Sequence, residues 1–333
     1  MKSCVLVLGT GSIGQRHLRV AQELGHGAVA MPTRAGGARP ELASYRVVAS
    51  WAEAIEAAAS SSTRLAIIAT NTSRHLGDAL RAVEAKFDLL IEKPLAPTSD
   101  GVAELVRAVE SSGRRAFVGC NLRFSRGFAE VRRKLPALGR IYSARVECQS
   151  YLPSWRPGTD HRTGYAARAD EGGVTRDLVH EIDYTTALLG TPRSVFARLV
   201  NTGELGIEAE ESSDLSWVAP GGAVVSVRLD YLSRVRRRRS LIVGERGELE
   251  WDAIEQTVTV RDAEGGIERI DVTQDRDDTM RAQLSAALAG CAGDDPGPIA
   301  TLEDGVAAVG IIDAARASAS SRQEELVVDW RRR

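Results

Sequence analysis

Four apolar residues followed by three spaced glycines constrain the fold of this chain more than any other stretch. Residues Val5–Leu8 predict a short buried strand, and Gly9, Gly11 and Gly14 then follow the spacing G-x-G-x-x-G before an apolar helical pattern. In such a turn the first glycine permits the tight bend, the second lets a pyrophosphate approach the backbone, and the third allows close packing of helix on strand. The first N–H groups of the helix then face the phosphates. The alternative is an ordinary Gly-rich turn. The dinucleotide contacts predicted here are Gly9, Gly11, Ser12, Ile13 and Gly14.

Strands and helices alternate through the first 120 residues. The predicted strands are 4–8, 27–31, 45–48, 64–69, 87–91 and 115–118, and the predicted helices are 13–24, 51–59, 73–84 and 99–112. This alternation predicts an α/β fold, a doubly wound parallel sheet with its ligand at the carboxyl ends of the strands. We therefore expect a Rossmann domain at residues 1–122.

The remainder of the chain has a different pattern. Several strands in series, separated by Gly-rich turns, predict an α+β domain with a large, mainly antiparallel open sheet. We assign residues 123–333 to this second domain, whose tail is predicted to form helices near 276–290 and 302–318 and then a last short strand near 325–329. An alternative packs these C-terminal helices back on the first domain.

Composition and charge exclude several classes of protein. The net charge of −2 gives no general attraction to nucleic acid or to an anionic membrane, and no apolar run approaches the ~18 residues of a membrane span. The four cysteines lack C-x-x-C or metal-finger spacing, which favours a reduced, cytoplasmic setting without a bound metal. A strand predicted from residue 4 leaves no room for a signal peptide. The arginine run 234–239 lacks interleaved aromatics and predicts a solvated strand face or an oligomer contact, with a phosphate site as the remaining alternative.

Two short motifs at predicted strand ends bear on the ligand. Lys93, in Glu92-Lys93-Pro94, is one of four lysines in the chain, and its compact ammonium can donate to a substrate oxygen; the alternative is a surface Glu–Lys pair at a turn. After the second strand come Thr33 and Arg34, with no Asp or Glu between Glu23 and Glu41. A carboxylate would repel a ribose 2′-phosphate and an arginine would attract it, so NADP is favoured over NAD. If Arg34 is a solvated loop residue, either cofactor binds.

The stretch from Gly172 to Gly190 predicts a Gly-rich turn that opens a helix. Leu178, Ile182 and Leu189 share one narrow stripe of that helix, while Asp177, His180 and Asp183 follow the opposite side. This polar side is either a solvated, salt-bridged face or the lining of a second buried space. (Both interpretations stay open at this point.)

Five short segments of the chain, taken together, resemble those of the Gfo/Idh/MocA oxidoreductases, a family that includes glucose–fructose oxidoreductase and the inositol dehydrogenases. They stand in the order of that family and extend over nearly the whole chain: Gly9–Gly14, Thr70–His75, Glu92-Lys93-Pro94, Asn121-Leu122-Arg123-Phe124, and Gly172–Asp183. The resemblance implies a Rossmann domain joined to a domain whose open sheet makes homodimer or homotetramer contacts. It also implies that Lys93 and His180 meet the substrate beside the nicotinamide. The further cofactor contacts we expect are Thr70, Asn71, His75, Glu92, Lys93 and Asn121.

One position departs from the family pattern. Members commonly place an acidic residue four positions before the histidine, whereas this chain has Arg176 there and Asp177 three positions before His180. Both spacings lie near one helical face, so Asp177 is the candidate replacement. The polar and aromatic loop 151–165 precedes this helix and is a candidate for sugar contacts, the alternative being a surface loop with a buried Trp anchor. The substrate contacts we expect are Arg123, Tyr151, Trp155, Arg162, Tyr165 and Asp183.

The expected activity is hydride transfer between a nicotinamide and a secondary alcohol or ketone of a sugar, nucleotide-sugar or cyclitol. An imidazole titrates near neutrality, so His180 is the expected general acid or base, with Asp177 or Asp183 orienting it, and Lys93 would stabilise charge on the reacting oxygen. Two alternatives remain. One is a non-catalytic NAD(P)-binding regulator of the same fold, and the other is reduction of a non-sugar imine or enone.

Overall fold

The described chain, residues 3–33 and 40–328 of a computed structural model, divides into two units. The first unit contains the described residues up to Phe124 together with Asp275–Val306. The second contains Ser125–Gln274 and residues 307–328. Each unit has its own sheet, and each is described below by itself.

The elements are numbered in chain order. The strands are β1 (Ser3–Leu8), β2 (Gly27–Met31), β3 (Arg46–Val47), β4 (Thr63–Ile68), β5 (Asp88–Ile91), β6 (Ala116–Val118), β7 (Ile141–Gln149), β8 (Ser194–Val200), β9 (Ser212–Val218), β10 (Val224–Asp230), β11 (Arg237–Gly244), β12 (Gly247–Asp252), β13 (Thr257–Asp262), β14 (Ile267–Asp271), β15 (Ala300–Thr301) and β16 (Glu325–Leu326). The α-helices are α1 (Ser12–Glu23), α2 (Trp51–Ala57), α3 (His75–Glu84), α4 (Val102–Ser112), α5 (Arg126–Lys134), α6 (Val174–Asp177), α7 (His180–Leu189), α8 (Asp278–Ala292) and α9 (Leu302–Ser321).

The sheet of the first unit is doubly wound, as the sequence predicts. Among the described residues its strand order is β15-β6-β5-β4-β1-β2-β3, and every pairing is parallel except that of β15 with β6. The central strands are apolar throughout because helices cover both faces of such a sheet. Val5, Val7, Leu65 and Ile67 are fully buried. The strands β1, β4 and β5 therefore end side by side at one edge.

Helix α8 belongs to the first unit although it follows the second sheet in the chain. Met280 and Leu284 of α8 share a buried cluster with Leu18 of α1 and Leu65 of β4. Asn121, just after β6, donates from Nδ2 to Thr279 Oγ1 at 3.0 Å. The returning segment thus completes the core beneath the Rossmann sheet.

The second unit is built on a long, mainly antiparallel sheet, again as predicted. Within the described ranges its order is β14-β13-β12-β11-β7-β10-β9-β8-β16, and β10 runs parallel to β7. Side chains alternate along β9, where Leu215 and Trp217 are buried and Val218 is 57% exposed. Phe196 and Val224 on neighbouring strands are also exposed. This alternation is typical of a sheet that packs on one face only.

Two local features differ from the sequence-based expectation. The stretch expected to form one helix is broken at Leu178, whose φ of −97° and ψ of 32° end α6, so that His180 begins α7. The edge strand β14 was not predicted, because its side chains are mostly exposed and it is defined by pairing with β13 rather than by an apolar pattern. The break separates the two candidate residues, Asp177 and His180, onto two short helices.

Candidate active site

The glycine loop, residues 9–14, contains two positions that only glycine can occupy. Gly9 has φ of +93°, and a Cβ there would lie 2.5 Å from the carbonyl oxygen of Ala69. A Cβ on Gly14 would lie 1.9 Å from the carbonyl oxygen of Gly9. The loop after β1 is therefore held against the end of β4 and against α1 by direct backbone contact.

Gly11 differs from Gly9 and Gly14 because the space that a side chain at this position would occupy is open. A Cβ built on Gly11 meets nothing within 4 Å. Gly11 is also the N-cap of α1, it caps the helix without a side-chain hydrogen bond, and the first turn carries no acidic residue. The first N–H groups of a helix have no intrahelical partner and attract anions. The open space, the free helix terminus and the exposed Ser12 beside it fit the pyrophosphate of a dinucleotide.

The neighbouring strands end in polar loops at the same edge. Thr70 follows β4 and is half-buried, Asn71 beside it is exposed, and Lys93 follows β5 and is half-buried. Because β5, β4 and β1 are adjacent and parallel, these loops lie next to the glycine loop. The sequence-based cofactor candidates of the first unit therefore share one edge of the sheet.

Glu92 is buried and holds the backbone of Lys93. One of its carboxylate oxygens accepts a hydrogen bond from Nε2 of the fully buried His17 at 2.7 Å, and the other accepts from the Lys93 N–H at 3.2 Å. Burial opposes ionisation, but the hydrogen bond from His17 and the positive charge of Lys93 outweigh it, so the pKa of Glu92 lies below its usual value. Glu92 is thus a buried carboxylate with assigned donors, and its contact with the cofactor stays a prediction.

His75 ties two loops together. Its Nδ1 lies 2.9 Å from the carbonyl oxygen of Pro94 and its Nε2 lies 3.1 Å from that of Thr70. Burial lowers the pKa of His75, although the two carbonyl oxygens act against the shift. A neutral imidazole has one N–H and can donate to only one of these two carbonyl oxygens at a time, although both ring nitrogens face the protein. A direct contact of His75 with the cofactor stays a prediction. At the end of β2, Thr33 is half-buried, whereas Arg34 lies outside the described residues.

In the second unit, two phenols hold Asp177. Its carboxylate accepts hydrogen bonds from the hydroxyl of Tyr165 at 2.5 Å and from the hydroxyl of Tyr231 at 3.1 Å. Burial, reinforced by the charge of Asp177, raises the pKa of Tyr231 well above its usual value. Tyr231 was missed by the sequence analysis, because it follows β10 without a motif and meets Asp177 only through the fold. Asp177 and Asp183 are 5% and 1% exposed, so the interpretation of this helix as a solvated face is wrong.

Arg176, at the position where family members carry an acidic residue, has a different role. It is 3% exposed, and its Nη1 donates to the carbonyl oxygens of Ala169 and Gly172, both at 3.1 Å. Burial lowers the pKa of Arg176. The guanidinium thus holds the Gly-rich turn from inside, and Asp177 is left as the acidic side chain available to a ligand.

A pocket in the second unit contains Asp177. It is open to solvent, and its walls include Leu152, Pro153, Trp155, His161 and Tyr165. The Trp155 indole donates to Ser150 Oγ at 2.9 Å and packs edge-on against Tyr231, with ring centroids 5.5 Å apart. The loop predicted to contact substrate therefore lines this pocket with both apolar and polar side chains.

The remaining substrate candidates lie elsewhere. Arg123 is buried in the first unit and donates to Asp304 at 3.0 Å. Arg162 binds both oxygens of Asp160, at 2.9 and 2.8 Å, and it does not line the pocket. The ring of Tyr151 lies 3.5 Å below the guanidinium of Arg234, and Asp183 is buried in α7. Substrate contact by these four residues stays a prediction.

The arginine run 234–239 is only partly a solvated strand face. Arg238 pairs through Nε with the fully buried Glu181 at 2.6 Å, which places this member of the run inside the unit. Arg239 pairs with Glu147 on the neighbouring strand. Among residues 3–33 and 40–328 no group of His, Cys, Asp and Glu is arranged to hold a metal ion, and no helix has the length and apolar character needed to cross a bilayer.

Comparison with known proteins assigns the family. Residues 4–120 match the model described as an oxidoreductase family with an NAD-binding Rossmann fold, and residues 131–250 match the GFO/IDH/MocA C-terminal domain. The chain belongs to the Gfo/Idh/MocA oxidoreductases. This membership agrees with both sheets and with the glycine loop.

Curated members of the Gfo/Idh/MocA family are similar over different lengths. The chain is 29% identical to inositol 2-dehydrogenase 2 of Paenarthrobacter aurescens over 197 residues, 56% of this chain and 55% of that protein. It thus spans about half the length of the first curated relatives that it matches. A longer match, 28% identical over 328 residues, covers 92% of this chain and 90% of an inositol 2-dehydrogenase 2 of Saccharopolyspora erythraea.

Solved structures of similar proteins share the whole fold. An oxidoreductase domain protein from Kribbella flavida superposes with a TM-score of 0.86 at 19% identity, covering 99% of this chain and 100% of that chain. Levoglucosan dehydrogenase in complex with NADH and L-sorbose gives a TM-score of 0.84 at 20% identity, with the same coverage of both chains. At these identities the likeness concerns the fold.

The glycine loop generates a prediction that separates stability from binding. In G11A the new methyl enters open space, so the thermal midpoint should stay within about 2 °C of wild type, whereas dinucleotide binding should weaken at least ~10-fold because the methyl occupies the pyrophosphate position. In G14A the methyl meets a backbone carbonyl, so the free energy of unfolding should fall by more than about 1 kcal/mol. Thermal unfolding without ligand and calorimetric titration with NADH and NADPH measure the two effects. Unaltered binding in G11A would contradict this assignment of the loop.

The depressed pKa of His75 predicts a pH dependence of stability. The unfolded chain takes up a proton at this residue near pH ~6.5, where the folded protein resists it, so the contribution of His75 is present above that pH and is lost as the pH falls below it. Replacing His75 by Asn removes the titrating group. The thermal midpoint of H75N should therefore fall less steeply than that of wild type between pH 7.5 and pH 5.5, about one unit on either side of the ordinary histidine pKa. Parallel curves would show that His75 titrates alike in both states.

Proposed function

We propose that this protein is an NAD(P)-dependent dehydrogenase or reductase that acts on a CH–OH group of a sugar, nucleotide-sugar or cyclitol. The observation that carries the proposal is the open space beside Gly11 at the N-terminus of α1, which fits a dinucleotide. Lys93, in the turn that follows β5 at the same edge of the sheet, offers a cation to a substrate oxygen.

The pocket in the second unit supports a polyhydroxylated substrate. Trp155 offers an apolar ring surface suited to the C–H face of a sugar or cyclitol, while Asp177 and His161 offer polar atoms to its hydroxyls. The relatives named above are inositol dehydrogenases, and one structural neighbour was solved with levoglucosan and another is a UDP-N-acetylglucosamine 3-dehydrogenase. A cyclitol or an unphosphorylated sugar is therefore the first substrate class to test.

In the proposed reaction each side chain has one task. The nicotinamide, when bound, would accept or donate the hydride. The ammonium of Lys93 donates a hydrogen bond to the reacting oxygen and stabilises the negative charge that develops there. The imidazole of His180 takes the hydroxyl proton, or returns it to the ketone in the reverse direction. Asp177, held by Tyr165 and Tyr231, binds a neighbouring hydroxyl or orients the imidazole. The proposal requires Lys93 and His180 to act on the same oxygen atom.

For the cofactor, we propose NADP as the preferred form and NAD as the alternative. The support is the charge pattern after β2, where Thr33 and Arg34 are followed by no carboxylate before Glu41. The matching family model describes NAD binding and does not distinguish NAD from NADP. For the assembly, we propose a homodimer or homotetramer formed through the second sheet, supported by the exposed Phe196, Val218 and Val224 on its outer face.

The test of the function is turnover followed by the absorbance of the reduced nicotinamide. The protein is incubated with NAD⁺ or NADP⁺ and a panel of cyclitols, aldoses and anhydrosugars, and with NADH or NADPH and the matching ketones. We expect turnover on at least one polyol. K93M should then lower kcat by at least ~10²-fold because it removes the donor to the reacting oxygen. H180A should lower it by ~10² or more because it removes the proton acceptor.

The control is dinucleotide binding by H180A, which should stay within about threefold of wild type, a difference of less than ~1 kcal/mol. Tight binding without turnover on any panel member would instead identify a regulator. Near-native turnover in K93M or H180A would reject the role given to that residue.

The cofactor preference predicts an asymmetric effect at Arg34. Removing a guanidinium that binds a 2′-phosphate should raise the Kd for NADPH about 10-fold or more and leave that for NADH nearly unchanged. R64A is a matched control, because it deletes the same charge at the amino-terminal end of β4, away from the edge that carries the glycine loop. Equal Kd values for the two cofactors in wild type would contradict the NADP preference.

A further inference from the structure

The Lys93 turn, residues Glu92–Pro94, is fastened on both sides by a buried histidine. On one side His17, fully buried, donates to Glu92, whose second oxygen accepts from the Lys93 N–H. On the other side His75, 1% exposed, contacts the Pro94 carbonyl oxygen at 2.9 Å. The residue proposed to bind the reacting oxygen is thus held through both of its chain neighbours.

Each histidine also belongs to a helix that begins at the dinucleotide edge, the edge of the first sheet where β1, β4 and β5 end. His17 lies in α1, the helix opened by the glycine loop. His75 begins α3, and its second nitrogen contacts the carbonyl oxygen of Thr70, in the loop that follows β4. The Lys93 turn is therefore connected by side-chain contacts to both loops beside it.

Close packing limits how far Glu92 can move. A Cβ added to Gly119, in the loop after β6, would lie 3.1 Å from Glu92 Cδ and 3.2 Å from Glu92 Cα. The carboxylate is thus confined on this side by backbone, and its two oxygens each have a donor. A buried carboxylate that loses its donor becomes costly to keep ionised. Loss of the His17 contact is therefore expected to disturb Glu92 and, through it, the backbone of Lys93.

We propose that His17 and His75 are positioning residues that set the backbone of Lys93, and that they link its placement to the two loops that hold the dinucleotide. Neither imidazole touches the substrate. The inference rests on the proposed role of Lys93 in the reaction.

The two contacts differ in which ring nitrogen is used, and this permits a crossed test. An asparagine amide nitrogen stands as many bonds from the backbone as imidazole Nδ1, and a glutamine amide nitrogen as many as Nε2. At residue 17, where Nε2 makes the contact, H17Q should retain most of the wild-type kcat and H17N should lose about tenfold or more. At residue 75, where Nδ1 holds Pro94, the preference should be reversed, with H75N active and H75Q impaired. Misplacement of a catalytic group by about 1 Å is sufficient for such losses.

Two further measurements distinguish positioning from general damage. The Kd for NADH should stay within about threefold of wild type in H17N and H17Q, so that kcat falls in H17N without a loss of binding. Hydrogen exchange of the ligand-free protein, followed by mass spectrometry of a peptide that includes residues 92–95, should show faster exchange at the Lys93 N–H in H17N than in H17Q. The same asparagine–glutamine preference at both positions would overturn the inference, and so would equal exchange in H17N and H17Q.

A double-mutant cycle separates failure of this inference from failure of the proposed function. If His17 acts through Lys93, H17N should lower the residual kcat of K93M by less than about twofold, because the group that it positions is already gone. Full multiplication of the two losses would overturn the inference and leave the function intact. Near-native turnover in K93M alone would reject the role given to Lys93 and this inference with it, whereas the turnover itself would still support the proposed dehydrogenase function.

Discussion

Backbone-to-backbone contact at the glycine loop is the constraint on which the dinucleotide edge depends. The chain leaves β1 with a positive φ at Gly9, passes against the end of β4, and enters α1 with Gly14 against the Gly9 carbonyl. No side chain fits at either contact, so the close approach of strand, loop and helix is possible only with glycine. The same approach brings the N-terminus of α1 to the strand ends and leaves the side of Gly11 open for a ligand.

The polar groups near that edge are held by partners distant in the chain. Glu92 is bound by His17, 75 positions earlier, and Asn121 binds Thr279, 158 positions later. Buried polar atoms must find hydrogen-bond partners, and here the partners come from distant loops and helices. The groups that fasten the Lys93 turn therefore also satisfy the buried charge of Glu92.

The second unit meets the same requirement in a different way. Its acidic residue Asp177 ends α6 and is held by Tyr165, 12 positions before it, and by Tyr231, 54 positions after it. Arg176, its neighbour, is turned to backbone carbonyls and supports the Gly-rich turn. Helix α6 ends at Asp177, and the break at Leu178 separates this carboxylate from His180, which begins α7.

The two sheets, the glycine loop and the family could all be predicted from the residues alone. Buried parallel strands are apolar throughout, one-sided strands alternate, and G-x-G-x-x-G follows from backbone sterics, so each of these features is encoded within a few residues. Three contacts could be seen only in the folded chain: His75 spans two loops, Arg238 pairs with the buried Glu181, and Tyr231 meets Asp177. These outcomes depend on which distant side chains packing brings within hydrogen-bond distance, and no local periodicity records that choice.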